Sequence, residues 1–231
     1  MTHRQSIYAY ISTLACSLLL LAGYAAPAHA QLKMFRMEQD SIPLFRGFQL
    51  SFDLVGPAML VMSDHGEYEG ALRVNLHDQW FPVVEAGIGR ANHENDEVTG
   101  LTYKTTAPYF RVGMDWNILK NKHQSNRLFA GFRYAFTSYK VDIIHERLTD
   151  PVWQVPAQFG VRDMGCSMHW LEAVFGLDAQ IFGPLHMGWA VRYKRRIAHN
   201  EGTLGNTWYV PGFGISDKDN LAANFNVIID I

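Results

Sequence analysis

The chain has 231 residues and a formal net charge of -2, and 48% of its residues are hydrophobic. Proteins that bind nucleic acid usually carry a strong basic footprint, so this charge balance argues against nucleic acid as a partner. Beyond residue 30, no apolar run approaches the roughly 20 residues that a transmembrane helix needs, which excludes a helical inner-membrane protein.

The N-terminal segment has the pattern of a secretory signal peptide. Arg4 supplies a positive charge, the stretch from Leu14 to Gly23 is apolar, and Ala28-His29-Ala30 matches an A-x-A cleavage site. We therefore predict export and cleavage after Ala30. The predicted division of the chain is a signal peptide over residues 1–30, a periplasmic lead-in over 31–44 and one barrel domain over 45–231.

Eight segments of the remaining chain alternate apolar and polar residues. In the first of them, Phe48 and Leu50 fall on one face and Gln49 and Ser51 on the other. A period of two residues predicts β-strands rather than helices. The predicted strands are Gly47 to Val55, Tyr68 to Leu76, Phe81 to Gly89, Pro108 to Asn117, Arg127 to Ser138, Met168 to Asp178, Leu185 to Lys194 and Ala223 to Ile231.

The connections between these segments are alternately short and long. The second and third segments are joined across His77 to Trp80, and the sixth and seventh across Gln180 to Pro184. Much longer stretches follow the first, third, fifth and seventh segments. Outer-membrane barrels have short periplasmic turns and long extracellular loops. We therefore predict an all-β fold, an eight-stranded antiparallel up-and-down transmembrane β-barrel.

The alternation alone would also fit a soluble eight-stranded barrel with its apolar face inside. The signal peptide, the unequal connections and the aromatic residues near the strand ends favour the membrane barrel. The predicted rim aromatics are Trp80, Phe81, Trp116 and Phe182 on the periplasmic side and Tyr68, Tyr139 and Tyr193 on the outer side.

Charged residues fall on the face that the pattern assigns to the barrel interior. The predicted central layer is Arg73, Glu85, Arg111, Arg133 and Glu172, flanked by Asp53, Asp115 and Arg192. An eight-stranded barrel is just wide enough to be filled by side chains, and an unpaired buried charge is costly. We therefore predict a salt-bridged network that fills the lumen. The alternative is a selective pathway for ions or protons.

Signals for catalysis or metal binding are weak, and we expect no enzyme activity, cofactor or metal. The acidic segment from His93 to Glu97 could hold a divalent cation, but a solvated loop explains it more simply. Cys166 is predicted to be an ordinary loop or strand-edge cysteine. The residues that a lipid-modifying enzyme could use at the outer rim are Ser138, His145, Asp150, Ser167 and His169.

Four segments of the chain resemble a known family. They are Arg111 to Asn117, Gly131 to Phe136, His169 to Glu172 and Tyr209 to Gly214. They resemble a small outer-membrane β-barrel family of Bacteroidota that is known as a domain of unknown function, DUF6048. More loosely, the strand count and size are similar to the OmpX and OmpA transmembrane barrels. The resemblance implies an integral outer-membrane protein without an assigned activity, and it transfers no catalytic residues.

These observations predict a structural or interaction protein. It would display four extracellular loops over a non-conducting lumen filled with side chains. Its expected partners are outer-membrane lipid and lipopolysaccharide, together with a protein partner on the extracellular or periplasmic side. The alternative function is an outer-membrane enzyme that modifies lipid A or phospholipids at the outer rim.

Overall fold

A computed structural model describes residues 41–96, 99–149, 152–153, 155–205 and 207–231. The predicted signal peptide and the lead-in up to residue 40 lie outside these described residues. The elements are β1 Phe45–Asp53, α1 Val55–Met62, β2 His65–Leu76, β3 Trp80–His93, β4 Leu101–Asn117, β5 Arg127–Thr149, β6 Pro156–Phe182, β7 Leu185–Asn200, β8 Tyr209–Val210, β9 Gly214–Ile215 and β10 Asp219–Asp230. No helix in the described part of the chain is long and apolar enough to cross a membrane.

The eight long strands form one antiparallel sheet. The strands β1 to β7 and β10 each pair with the long strands that precede and follow them in the chain. The first strand also pairs with the last, from Gln49 opposite Asp230 to Asp53 opposite Asn226, so the sheet closes into a barrel. The short strands β8 and β9 pair only with each other in the described chain. The prediction of an all-β fold with eight antiparallel strands is confirmed.

Along the middle of the strands, the outward side chains are mostly apolar and the charged side chains point inward. On β1, Phe48 and Phe52 are 42% and 48% exposed, whereas Gln49 and Ser51 are 9% and 2% exposed. This is the distribution predicted from the alternation, and it is opposite to that of a water-soluble barrel.

The strands are longer than predicted at the end with the long connections. Strand β5 has 23 residues and β6 has 27, and their pairing continues to Thr149 opposite Pro156. Above Ser138 the polarity of the two faces reverses. Lys140 is exposed on the outer face, whereas Val141 is completely buried on the inner face. The predicted strand ends at Ser138 because the pattern of apolar residues on the outer face stops there.

Two of the aromatic residues predicted at the rims point into the barrel instead. Phe81 is 2% exposed and lies beneath Arg127, whose guanidinium carbon is 3.9 Å from the ring centre. Tyr139 is 3% exposed, and its hydroxyl donates to Thr207 Oγ1 at 3.1 Å. Both residues occupy alternate strand positions whose side chains face inward, and this fixes the direction of their rings.

The first strand ends two residues earlier than predicted, at Asp53, and helix α1 follows. The Asp53 carboxylate accepts the N–H of Gly56 at 2.7 Å and the N–H of Phe225 at 3.1 Å. It therefore ties the start of α1 to strand β10. Pro57 lies in the first helical turn, where its missing N–H costs no helical hydrogen bond.

Candidate functional site

Charged side chains from six strands, β2 to β7, meet in the middle of the barrel. Arg133 Nε lies 3.0 Å from Glu85 Oε1, and Arg133 Nη2 lies 2.8 Å from Asp115 Oδ1. Arg73 Nε lies 3.3 Å from the second oxygen of Asp115, and Arg73 Nη1 donates to Ser51 Oγ at 3.0 Å. These contacts form one side of the network.

Two further arginines bind the remaining carboxylates. Arg192 Nη1 lies 2.6 Å from Glu85 Oε2 and 3.3 Å from Glu172 Oε2, and its Nη2 lies 2.9 Å from Glu69 Oε1. Arg111 Nε lies 2.9 Å from Glu172 Oε1, and Arg111 also pairs with Glu69. Every arginine of this set therefore faces at least one carboxylate.

The structure brings seven of the eight sequence-predicted residues into this network and replaces the eighth. Asp53 binds backbone N–H groups at the α1 junction, and no ion pair joins it to another described residue. Glu69 takes its place. The network, called the central charge layer below, consists of Arg73, Arg111, Arg133, Arg192, Glu69, Glu85, Asp115 and Glu172, each at most 6% exposed.

Glu69 was not among the predicted interior residues, although a signal for it was present. Glu69 lies four residues before Arg73 on the same strand, so both side chains point to the same face. Four arginines now face four carboxylates, and the formal charge of the layer is zero. A balanced and fully paired set is what a buried position requires, because an unpaired charge there would be strongly destabilising.

The segment between β7 and β10 folds back into the barrel and covers the central charge layer. Its core is the inner hairpin, Tyr209 to Ile215, which contains β8 and β9. The carbonyl oxygen of Gly212 accepts hydrogen bonds from Arg111 Nη2 at 2.7 Å and Lys194 Nζ at 2.8 Å. Tyr209 and Phe213 are 2% and 0% exposed. The prediction of a displayed loop is wrong for this segment, because much of it occupies the lumen.

Gly212 is the residue that makes this close approach possible. Its φ is +81°, in the region that favours glycine. A Cβ at this position would lie 2.5 Å from the Tyr109 ring. The Tyr109 hydroxyl in turn donates to Glu69 Oε2 at 2.7 Å. The Tyr109 ring therefore lies between the inner hairpin and the central charge layer and contacts both.

An apolar core lies above the central charge layer, inside the long-loop end of the barrel. Trp170 is completely buried, donates from Nε1 to Glu172 Oε1 at 2.7 Å, and packs edge-on against Phe213 with ring centres 5.7 Å apart. Cys166 belongs to this core and lies within β6, so its predicted loop or strand-edge position is wrong. Burial raises the pKa of the Cys166 thiol, so the thiol stays protonated and unreactive.

A second polar cluster lies at the short-turn end and was not predicted. Arg127 pairs with Asp178, and Asp78 lies 2.8 Å from both His123 Nδ1 and Asn75 Nδ2. Burial alone would raise the pKa of Asp78, but the hydrogen bonds from His123 and Asn75 outweigh it and lower that pKa. The turn residues around Asp78 are polar in any barrel, so the sequence gives little signal for this cluster.

Four of the residues considered for catalysis lie on two paired strands, Ser138 and His145 on β5 and Ser167 and His169 on β6. Ser138 and Ser167 are opposite each other on the outer face of β5 and β6, and His169 Nδ1 lies 2.7 Å from Tyr134 Oη. Within the described residues, no hydrogen bond joins either serine to a histidine. Asp150 lies outside the described residues.

In the acidic segment from His93 to Glu97, the histidine contacts two carboxylates. His93 Nδ1 lies 2.7 Å from Asp64, and its Nε2 lies 3.2 Å from Asp96. Hydrogen bonding to Asp64, supported by Asp96, raises the pKa of His93. Among the described residues, no group of three or more His, Cys, Asp or Glu side chains could hold a metal ion.

No curated protein and no solved structure matches the chain significantly. One family model matches residues 7–230, and its description is a domain of unknown function, DUF6048. The predicted resemblance to the domain of unknown function is therefore confirmed. Because the match covers nearly the whole sequence, the chain belongs to the DUF6048 family of domains of unknown function.

Proposed function

We propose that this protein is an integral outer-membrane β-barrel with a closed lumen, a rigid structural or interaction protein that presents an extended structure to the cell exterior. Export through the signal peptide cleaved after Ala30 would bring it to that membrane. Outer-membrane lipid and lipopolysaccharide would surround the barrel wall. The exterior structure would meet a protein partner.

The observation that carries the proposal is the reversal of polarity along the barrel. On β5, Phe132 and Phe136 are exposed on the outer face while Arg133 is buried inside. Further along the same strand, Lys140 is on the outer face and Val141 is inside. A strand that stays in one solvent would keep one pattern, so the reversal supports a change of surroundings from lipid to water.

The neighbouring strands reverse in the same way. On β4, Val112 is exposed on the outer face near Arg111, whereas Lys104 is exposed near the buried Tyr103. On β6, Phe175 is exposed outside, whereas Arg162 is exposed beyond the reversal. The reversal therefore follows a level across three neighbouring strands rather than being confined to one.

The height of the apolar band agrees with a membrane. On β5 the apolar outer positions run from Leu128 to Phe136, which is eight residue steps of about 3.3 Å. With a strand tilt of about 40°, this corresponds to roughly 20 Å along the barrel axis, close to the apolar band of about 25 Å in outer-membrane barrels.

The lumen is blocked at two successive levels. The central charge layer spans the interior, and the inner hairpin lies on it through Gly212. Because each arginine is already paired, moving an ion through the layer would require breaking several buried ion pairs. This supports a structural role for the layer over an ion or proton pathway.

The part above the reversal is large enough to be a recognition surface. A transmembrane strand needs about 9–11 residues, whereas β5 and β6 have 23 and 27. The β5–β6 hairpin would therefore project well beyond the membrane. At its tip, Val152 and Trp153 are 75% and 76% exposed, and exposed aromatic residues are common at protein interfaces.

The proposal is tested by refolding the purified protein into lipid vesicles. We expect unboiled and boiled samples to migrate differently on a gel. We also expect a sheet-rich circular dichroism spectrum and no stable conductance in planar bilayers. Co-fractionation with soluble periplasmic proteins would contradict the membrane barrel. Reproducible porin-sized conductance steps would contradict the closed lumen.

A further inference from the structure

The barrel wall is incomplete over part of its height. Strand β1 reaches only Asp53 on β10 and only Phe52, opposite Gly70, on β2. Residues 219–225 of β10 and 65–69 of β2 extend further, and β1 does not lie between them. The gap begins at the level of the central charge layer and continues toward the long-loop end.

Helix α1 occupies part of this gap. It packs against β2 through two glycines, since a Cβ on Gly56 would lie 2.1 Å from the Glu67 carbonyl oxygen and a Cβ on Gly66 would lie 2.6 Å from the Gly56 carbonyl oxygen. Its contact with β10 is smaller. The helix is therefore pressed against one side of the gap and leaves space on the other.

That space is a cavity of about 420 Å³ between α1 and β10. It is bounded on the barrel side by Lys194, Tyr209 and Phe213 and on the outer side by Met59 and Leu221. Leu221 is 69% exposed and Met59 is 37% exposed. The mouth is thus apolar and opens at the outer surface of the barrel.

Two polar groups that line the cavity accept no hydrogen bond from another described residue. Asn224 is 5% exposed, and its Oδ1 has no hydrogen-bond partner among the described residues. Glu67 is half-buried and lines the cavity, and its carboxylate accepts no hydrogen bond from another described residue, although Lys194 and Arg111 are close enough to attract it electrostatically. Both groups are acceptors, so the cavity suits a ligand that brings hydrogen-bond donors and a positive charge.

The cavity also offers one donor. Lys194 Nζ donates to the carbonyl oxygens of Gly212 at 2.8 Å and Phe213 at 3.2 Å. An ammonium group has three N–H donors, so one remains for a ligand. A carboxylate that accepts no hydrogen bond and an ammonium with a spare donor together match a head group that carries an amine next to a phosphate.

We propose that this cavity is a lateral binding site for a phospholipid with a primary amine head group. The acyl chains would lie against α1 and Leu221, the ammonium would bind Glu67 and Asn224, and the phosphate would accept the remaining N–H of Lys194. The inference rests on the proposed membrane location, because the ligand would enter from the surrounding lipid.

The test uses native mass spectrometry of the refolded full-length protein. The protein is mixed in detergent with phosphatidylethanolamine, phosphatidylcholine or phosphatidylglycerol, all with identical acyl chains. It is then released from the detergent in the spectrometer, and the lipid that stays bound is identified. We expect one retained phosphatidylethanolamine and much less of the other two. Phosphatidylcholine has the charge without N–H donors, and phosphatidylglycerol has neither the amine nor its charge.

Three variants complete the test. Glu67→Gln should lower phosphatidylethanolamine retention about tenfold, the loss expected for one hydrogen bond to a charged group. Ala222→Trp, which fills the cavity, should abolish retention of all three lipids. Glu94→Gln makes the same chemical change on an exposed loop and should have no effect.

Equal retention of the three lipids, or unchanged retention in Glu67→Gln, would overturn the lateral site. Each variant is also examined for heat-dependent gel migration after refolding into vesicles. If the wild type inserts but shows no lipid preference, only the lateral site fails. If the wild type does not insert, the proposed membrane location fails.

Discussion

Removal of Glu172 should be among the most destabilising single changes in the barrel. Its oxygens lie 2.9 Å from Arg111 Nε, 3.3 Å from Arg192 Nη1 and 2.7 Å from Trp170 Nε1. Glu172→Leu would leave three buried donors short of an acceptor. Breaking a buried ion pair typically costs about 3–5 kcal/mol. Both arginines keep Glu69, so we expect the lower end of that range, about 3 kcal/mol.

The assay is urea unfolding of the protein refolded into lipid vesicles. The control is Glu94→Leu, which removes an exposed loop carboxylate paired with Lys104 and should leave the midpoint unchanged. Removing Glu172 and Arg111 together should cost less than the sum of the two single changes, because the double variant leaves fewer unpaired charges. An unchanged midpoint for Glu172→Leu would refute the account of the central charge layer.

Two further predictions concern the inner hairpin and the outer loops. Gly212→Ala should lower the free energy of unfolding by about 1–3 kcal/mol, because the residue has positive φ and the new Cβ would press on Tyr109. An unchanged urea midpoint would argue against the hairpin's buried position. The raised pKa of His93 means that its bridge between Asp64 and Asp96 stabilises the loops below the ordinary histidine pKa of 6.5 and is lost as pH rises through the folded-state value. Protease cleavage of the outer loops should therefore increase from pH 6 to 8 and lose this dependence in His93→Gln, and a flat wild-type profile would contradict it.

The strands and their faces could be predicted because they depend on a local pattern. A period of two residues assigns alternate side chains to opposite faces, so Arg111 and Val112 are separated whatever the rest of the barrel does. The short connections then order the strands. The same pattern continued beyond Ser138 with the opposite polarity, and the prediction failed there because it assumed one solvent along the whole strand.

The partners within the barrel could not be predicted as reliably. The alternation places Glu69 and Asp53 on the inner face equally well. Whether a carboxylate reaches an arginine depends on the stagger of the strands around the barrel. Asp53 lies where β1 ends, and the free N–H groups of α1 and β10 are closer to it than any arginine. That outcome depends on tertiary structure.

Helix α1 and the inner hairpin were missed for a related reason. Both are short and lie in long connections, where the sequence shows turn residues such as Gly56-Pro57 and Pro211-Gly212 but no periodic pattern. Their positions are fixed by contacts with the barrel, including the Gly56 contact with β2 and the Arg111 hydrogen bond to Gly212. Turn chemistry predicts a bend and does not predict where the bent segment packs.

The central claim, a lipid-facing band on the outer surface, is tested most directly by two arginine substitutions on one strand. Val112 and Thr106 are both exposed on the outer face of β4, Val112 within the apolar band and Thr106 beyond the reversal of polarity. The measurement is the free energy of folding into lipid vesicles. We expect Val112→Arg to cost about 2–4 kcal/mol and Thr106→Arg about 0–1 kcal/mol, following the depth dependence in membrane barrels. Equal and small effects of both substitutions would contradict the membrane band.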